Sequence, residues 1–191
     1  MKSNEVILRQ LTITDLEVYK ELNHPDSAFH KYNGPYFKQS SEDELSDQIN
    51  SWRDKFIVGD LDFLSNKMII ADKYSDTLIG EVSWYWKSKE TDWMEIGIVI
   101  FNSDYWGKSI GYQALTKWIN HVFDQHKHLV RIGLTTWSGN ERMMKLAEKL
   151  GLQLEACYRN ARILNGVYYD SVSYGILKSE WNDKQGKENY D

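Results

Sequence analysis

The spacing of apolar residues changes period several times along the 191-residue chain. Val6 to Gln10 alternates, the two-residue period of a strand with one buried face. Thr14 stands where it can cap a short helix carrying Leu16, Tyr19 and Leu22. A polar and aromatic stretch, 23–40, holds both prolines, Pro25 and Pro35. Beyond it, Ser41-Glu42-Asp43-Glu44 has capping-box spacing, and Leu45, Ile49, Trp52 and Phe56 recur at helical intervals. Strands are predicted at 67–72, 78–87 and 93–101, followed by a helix with Leu115, Trp118, Ile119, Val122 and Phe123 on one face. A strand at 130–137 precedes a helix carrying Met143, Leu146, Ala147 and Leu150, with Gly151 placed for a left-handed cap. Two last strands, 153–164 and 167–177, turn at Asn165-Gly166, a strong hairpin signal.

This order, β-α-α-β-β-β-α-β-α-β-β, predicts a mixed α/β fold (α+β) with helices covering a sheet. No repeat or linker-like stretch interrupts it, so residues 1–191 read as a single domain, with a polar end at 182–191 expected to fray.

Composition narrows the partners. The formal net charge is −5, so the surface offers no general field for phosphate backbones or an anionic membrane, and a cationic or amine-bearing partner is easier to accommodate. The one cysteine, Cys157, has no internal disulfide partner, and its strand position reads as a small core residue. The opening residues lack the apolar core of a signal peptide, and no run approaches the roughly 20 apolar residues of a membrane span. A cytoplasmic protein is expected, as monomer or homodimer.

The chemically informative segment is Tyr105-Trp106-Gly107-Lys108-Ser109-Ile110-Gly111-Tyr112-Gln113-Ala114, between a strand and a helix. A helix start presents unpaired N–H groups and partial positive charge, which suits a phosphate. Gly107 and Gly111 let the backbone curl around such an anion, and Lys108 adds a full charge. Gly107-Lys108-Ser109 also mimics the end of a nucleotide P-loop, but that loop needs glycine where this chain has Asn102. A plain glycine-containing turn into a surface helix fits the same letters.

This segment resembles the acetyl-CoA pyrophosphate loop of the GNAT acetyltransferases, [QR]-x-x-G-x-[GA]. Trp106 holds the Gln/Arg place, Ser109 the first glycine place and Gly111 the last position. Trp-Gly-Lys-x-x-Gly is a familiar form in the branch of the ribosomal-protein N-terminal acetyltransferases RimJ and RimL. Glu95-Ile96-Gly97, Asn140 ahead of Leu150-Gly151-Leu152, and the segments Glu155 to Arg159 and Asn165 to Asp170 resemble further landmarks of that branch in the same order. The resemblance implies a mostly antiparallel sheet whose fourth and fifth strands splay, with helices on both faces and no metal. It also implies acetyl-CoA as cosubstrate: pantetheine along Ile98, Val99 and Ile100, pyrophosphate on backbone N–H groups of Trp106, Gly107, Lys108, Ser109, Ile110 and Gly111, and Asn140 near the pantetheine arm. The acceptor-side wall falls on Tyr32, Asn33, Tyr36 and Phe37, and the acceptor is a small-molecule amine or a peptide N-terminus.

Transfer needs a neutral amine, and an α-amino group of pKa about 7.7–8.0 is mostly protonated at neutral pH. A nearby carboxylate can take the proton, directly or through water. Glu95 is the first candidate base, since alternation along Met94-Glu95-Ile96-Gly97-Ile98 puts it on one sheet face; Glu81 is the second. The serine and tyrosine that relatives carry as proton donors are Met143 and Ala147 here, leaving water or Tyr158. His121, His126 and His128 lack zinc-site spacing and read as a solvated helix end, while Trp84 and Trp86 read as core. Two other functions stay open: the same fold binding acyl-CoA without turnover, and a nucleotide-phosphate binder.

Overall fold

The computed structural model describes residues 5–188. Their elements are β1 (Val6–Arg9), α1 (Leu16–Leu22), α2 (Glu42–Val58), β2 (Lys67–Asp72), β3 (Leu78–Ser88), β4 (Trp93–Ile100), α3 (Ile110–Gln125), β5 (Arg131–Trp137), α4 (Glu141–Leu150), β6 (Gln153–Leu164), β7 (Val167–Leu177) and α5 (Lys178–Glu188). The strands form one sheet in the order β1-β2-β3-β4-β5-β7-β6. The β1–β2, β2–β3, β5–β7 and β6–β7 ladders are antiparallel, and β4–β5 is parallel. The chain divides into two compact units: residues up to Ser83 with Ile98–Ala114, and Trp84–Gly97 with the residues from Leu115 onward.

In the first unit, α1 and α2 cover β1 and β2 through a cluster of Leu11, Leu16, Tyr19, Phe29, Leu45, Ile49, Trp52, Ile69 and Phe101. The capping box of α2 forms as the spacing predicts: Glu44 N–H donates to Ser41 Oγ, and Ser41 N–H to the Glu44 carboxylate. Arg9 on β1 grips Asp15 through two bonds of 2.7 and 2.8 Å and reaches Asp76 at 2.7 Å, tying three segments together. Burial pushes the Asp15 carboxyl up, but the bonds from Arg9 and Thr12 outweigh it and hold it below its ordinary value.

In the second unit, Trp118, Ile119, Val122, Phe123, Ile132, Leu134, Leu150, Tyr174 and Trp181 are buried. The β5–β7 ladder runs the whole length of β5, from Arg131 opposite Leu177 to Trp137 opposite Ser171. The parallel ladder registers at Glu95 opposite Gly133. Gly151 ends α4 at φ 87°, and Asn165 and Gly166 make the hairpin turn at φ 50° and 79°.

Several local expectations are corrected. Residues 182–188 lie within α5, where the sequence suggested no helix, while 189–191 lie outside the described residues. The polar letters of α5 conceal its anchors: buried Trp181 donates to Asn120 at 2.7 Å, Lys178 to the Phe123 and Lys127 carbonyls, and Lys184 to that of Lys149. Cys157 is exposed rather than core, because β6 shows nearly all its side chains to solvent. Trp84 and Trp86 are half-buried and pack edge-on against His126, at centroid distances of 5.0 and 5.8 Å. No helix among the described residues is long and apolar enough to cross a membrane.

Candidate active site

The phosphate-binding candidates belong to the first unit. As β4 ends, Asn102 Oδ1 accepts from Asp104 N–H at 2.8 Å and starts a short 3-10 turn, Ser103–Tyr105. Asn102 has φ −89°, a conformation needing no glycine. Trp106 then anchors the segment. Its indole N–H donates to the Ile100 carbonyl at 3.0 Å, and its ring meets Tyr32 edge-on at 5.5 Å. Trp106 N–H donates to the Ser103 carbonyl at 3.0 Å, which takes it out of the donor set for a phosphate. The donors that remain begin at Gly107.

From there the backbone turns through the left-handed region twice, Gly107 at φ 73° and Ser109 at φ 61°. The place where the family pattern has glycine therefore has glycine-like geometry, and Ser109 adopts it at a cost of about 1–2 kcal/mol. Ser109 O accepts from Gln113 N–H at 3.1 Å, and buried Ile110 pins the first turn of α3. Gly111 lies in that first turn, where backbone N–H groups have no partner within the helix. Lys108 is exposed, its ammonium 5.8 Å from the Tyr105 ring. Backbone N–H groups at a helix start, its positive end and a lysine fit a pyrophosphate. Ile98, Val99 and Ile100 are half-buried, in contrast to the fully buried Met94, Glu95 and Ile96 before them.

Of the acceptor-side residues, Tyr32 packs on Trp106, whereas Tyr36 and Phe37 pack on each other at 4.8 Å after a turn at Gly34, φ 59°. Asn33 and Phe37 are exposed. Glu81 accepts from the Tyr19 hydroxyl at 2.9 Å, and the Tyr19 ring meets Trp52 and Phe101 edge-on. Burial, with the Glu81 charge beside it, pushes the Tyr19 phenol well up, so Glu81 serves a core tyrosine.

The second unit holds Glu95, only 2% exposed. An unpaired buried carboxylate is costly, and three donors converge on this one. The Tyr85 hydroxyl donates to Oε2; Thr135 Oγ1 donates to Oε1 at 3.0 Å, and the Lys87 ammonium stands 3.4 Å from Oε1. Thr135 also shares a 2.9 Å hydroxyl–hydroxyl bond with Ser173. Gly133, opposite Glu95, leaves the space: a Cβ there would come within 3.4 Å of Glu95 Cγ. Burial and the bond to Glu95 push the Tyr85 phenol well above its ordinary value. The sequence reading singled out Glu95 but not Tyr85, Lys87 or Thr135. Alternation along β3 was the available signal for the first two, since it sets Tyr85 and Lys87 on one face.

Asn140 caps α4: its Oδ1 accepts from Met143 N–H at 3.2 Å. Ala147 is fully buried and Met143 half-buried, and neither side chain carries a proton to donate. Tyr158 is exposed on β6. No cluster of His, Cys, Asp and Glu among the described residues could hold a metal ion.

Comparison with known proteins identifies the family. The family model described as an acetyltransferase (GNAT) domain matches residues 5–153. "Putative ribosomal N-acetyltransferase YdaF" of Bacillus subtilis (strain 168) is 31% identical over 108 residues, 56% of this chain and 58% of its own length. The chain thus spans a little over half the length of the curated relatives it matches. Among solved structures, an acetyltransferase (GNAT family) from Bacillus anthracis superposes with a TM-score of 0.73 at 21% identity, covering 94% of this chain and 99% of the other. The spermidine N-acetyltransferase from Vibrio cholerae, solved with CoA and spermine, gives 0.72 at 22% identity, covering 93% and 98%; at these identities the likeness is one of fold. Since the matched model takes in the sheet through β5, the left-handed loop and Glu95, the chain belongs to the GNAT acetyltransferase family.

Proposed function

We propose that the chain is a single-domain N-acetyltransferase that moves an acetyl group from acetyl-CoA to a primary amine by direct attack, without a covalent enzyme intermediate. The observation that carries this reading is Glu95: a carboxylate 2% exposed, satisfied by three donors, on the strand that leads into the left-handed loop. Acetyl-CoA supplies the activated acyl thioester. Backbone N–H groups of Gly107, Lys108, Ser109, Ile110 and Gly111 hold its pyrophosphate with the Lys108 charge, and Ile98, Val99 and Ile100 flank the pantetheine arm. Asn140, which caps α4, is the further candidate for that arm.

Glu95 takes the proton that the amine loses, a contribution of roughly 10²–10⁴-fold for a positioned base. Glu81 is the weaker candidate, because it already accepts from a core tyrosine. Tyr32, Asn33, Tyr36 and Phe37 line the acceptor side. The names of the similar proteins point to amines of two kinds, ribosomal and polyamine, and the net charge of −5 suits either. Met143 and Ala147 favour a second reading, a domain that binds acyl-CoA without turnover, because neither can protonate the leaving thiolate.

Calorimetric titration with acetyl-CoA, using Mg-ATP as control, tests the cofactor half. Micromolar binding of acetyl-CoA and none of ATP is expected; the reverse would overturn the loop assignment. Thiol release with spermidine and with an unblocked peptide as acceptors then separates enzyme from sensor.

A further inference from the structure

A buried base needs a route for the proton it receives. Glu95 has three neighbours that could supply one. The Lys87 ammonium has three donors and no acceptor, so it cannot take a proton up while passing one on. The Thr135 hydroxyl leads to Ser173, and both side chains are half-buried. The Tyr85 hydroxyl donates to Oε2, and Tyr85 is 47% exposed against 2% for Glu95. A hydroxyl can accept one proton while donating another. Oε1 already faces Thr135 and Lys87, whereas Oε2 faces Tyr85. The phenol is held protonated by burial and by its bond to Glu95, which makes it a conduit rather than a base.

We infer that Tyr85 is a catalytic residue that touches the acceptor amine and relays its proton to Oε2 of Glu95. The inference rests on the acetyltransferase reading above. As the nitrogen of the neutral amine bonds to the acyl carbon, the carbon–sulfur bond breaks and its electron pair leaves on the thiolate. A nitrogen proton passes to the Tyr85 oxygen while the phenolic proton passes to Glu95. The thiolate takes a proton from solvent, and once the amide has left, Glu95 returns its own through the Tyr85 hydroxyl to solvent. Acetyl-CoA and amine become amide and free thiol, with no other reactant.

The test is Tyr85→Phe, which keeps the ring and removes the hydroxyl, assayed by thiol release with spermidine and with an unblocked peptide. The relay predicts kcat at least tenfold lower, with the KM for acetyl-CoA within twofold of wild type. It also predicts a bowed dependence of kcat on solvent deuterium fraction in the wild type, from two protons in flight, and a straight one in Y85F. The double variant Y85F/E95Q should be no slower than E95Q, because the two groups act in one chain. Wild-type kcat in Y85F with E95Q impaired would overturn the relay and leave Glu95 as base. A slower Y85F with an unchanged bow would overturn it too, reducing the phenol to a prop. Wild-type kcat in E95Q would instead sink the reading of Glu95 itself. Independently of any acceptor, the Cζ resonance of carbon-13-labelled Tyr85 should shift in E95Q; an unmoved resonance would show that the phenol–carboxylate bond is not made.

Discussion

The carbonyl oxygen of Val99 points at Gly80 so closely that a Cβ on Gly80 would lie 2.1 Å from it. Only a residue without a side chain lets β3 and β4 approach this way in the first unit, and Phe101 N–H bonds to the Ile79 carbonyl at 3.0 Å just beyond. Because the obstructing atom is backbone, no rotamer change can relieve the clash.

Gly80→Ala is therefore expected to destabilise the protein by about 3 kcal/mol, the upper range for overpacking, or ~6–12 °C in melting midpoint for a chain of this size. Since Val99 belongs to the proposed pantetheine strand, affinity for acetyl-CoA should fall with it. A thermal melt and a calorimetric titration check both; an unchanged midpoint would mean that the two backbones can separate freely.

Gly107 and Ser109 allow the loop to be tested without touching its charge. A Cβ at Gly107 meets nothing within 4 Å, so Gly107→Ala carries only the backbone cost of φ 73°, about 1–2 kcal/mol. Ser109→Gly should act the other way and raise stability by ~0.5–1 kcal/mol, since Ser109 already sits at φ 61°. Acetyl-CoA binding should survive S109G. Melting curves of the two variants should move in opposite directions; parallel shifts would contradict the left-handed geometry at one of them.

Acid stability should depend on Asp15. Its folded pKa lies below the ordinary 3.8, so the stability from its ion pair is present above that value and is lost as pH falls through the lower folded one. Asp15→Asn should cost about 1.5–3 kcal/mol at pH 7, the range for hydrogen bonds to charged groups. The difference from wild type should vanish in strong acid. Denaturant titrations across pH 2–7 would show the curves converging; a constant gap would refute the linkage.

His126 supplies a second window. Burial first, then the charges of His128 and His121, hold its pKa below 6.5. The neutral imidazole packed on Trp84 and Trp86 therefore contributes stability above about pH 6.5, and that contribution is lost as pH falls through the lower folded value. His128, 3.4 Å from Asp92, does not share this burial. The wild-type melting midpoint should drop between pH 7 and 5, and His126→Phe should flatten that slope. An equal slope in the variant would place the dependence elsewhere.

Much of this architecture was legible in the residues. The Ser41 capping box, the Gly151 cap and the Asn165-Gly166 turn are local chemistries whose geometry follows from a few letters, and each forms. Glu95 was legible as a candidate because strand alternation assigns its face. Alternation sets Tyr85 and Lys87 on one face of β3, but that this face and Thr135 meet Glu95 follows only from strand pairing. The helix α5 escaped notice because Trp181 and the lysines that tie it down act over distant contacts. Cys157 misled for the converse reason: a strand pattern shows period, not which strand stands at the edge.

Acetyl transfer to an amine is tested first by acetyl-CoA turnover. Purified protein would be mixed with acetyl-CoA and either spermidine or an unblocked peptide, following free thiol and the acetylated acceptor by mass. Acceptor-dependent thiol release in equal amount to N-acetylated product, lost in E95Q, is expected. Tight acetyl-CoA binding with no thiol released by either amine would contradict it and leave the non-catalytic acyl-CoA binder as the better reading.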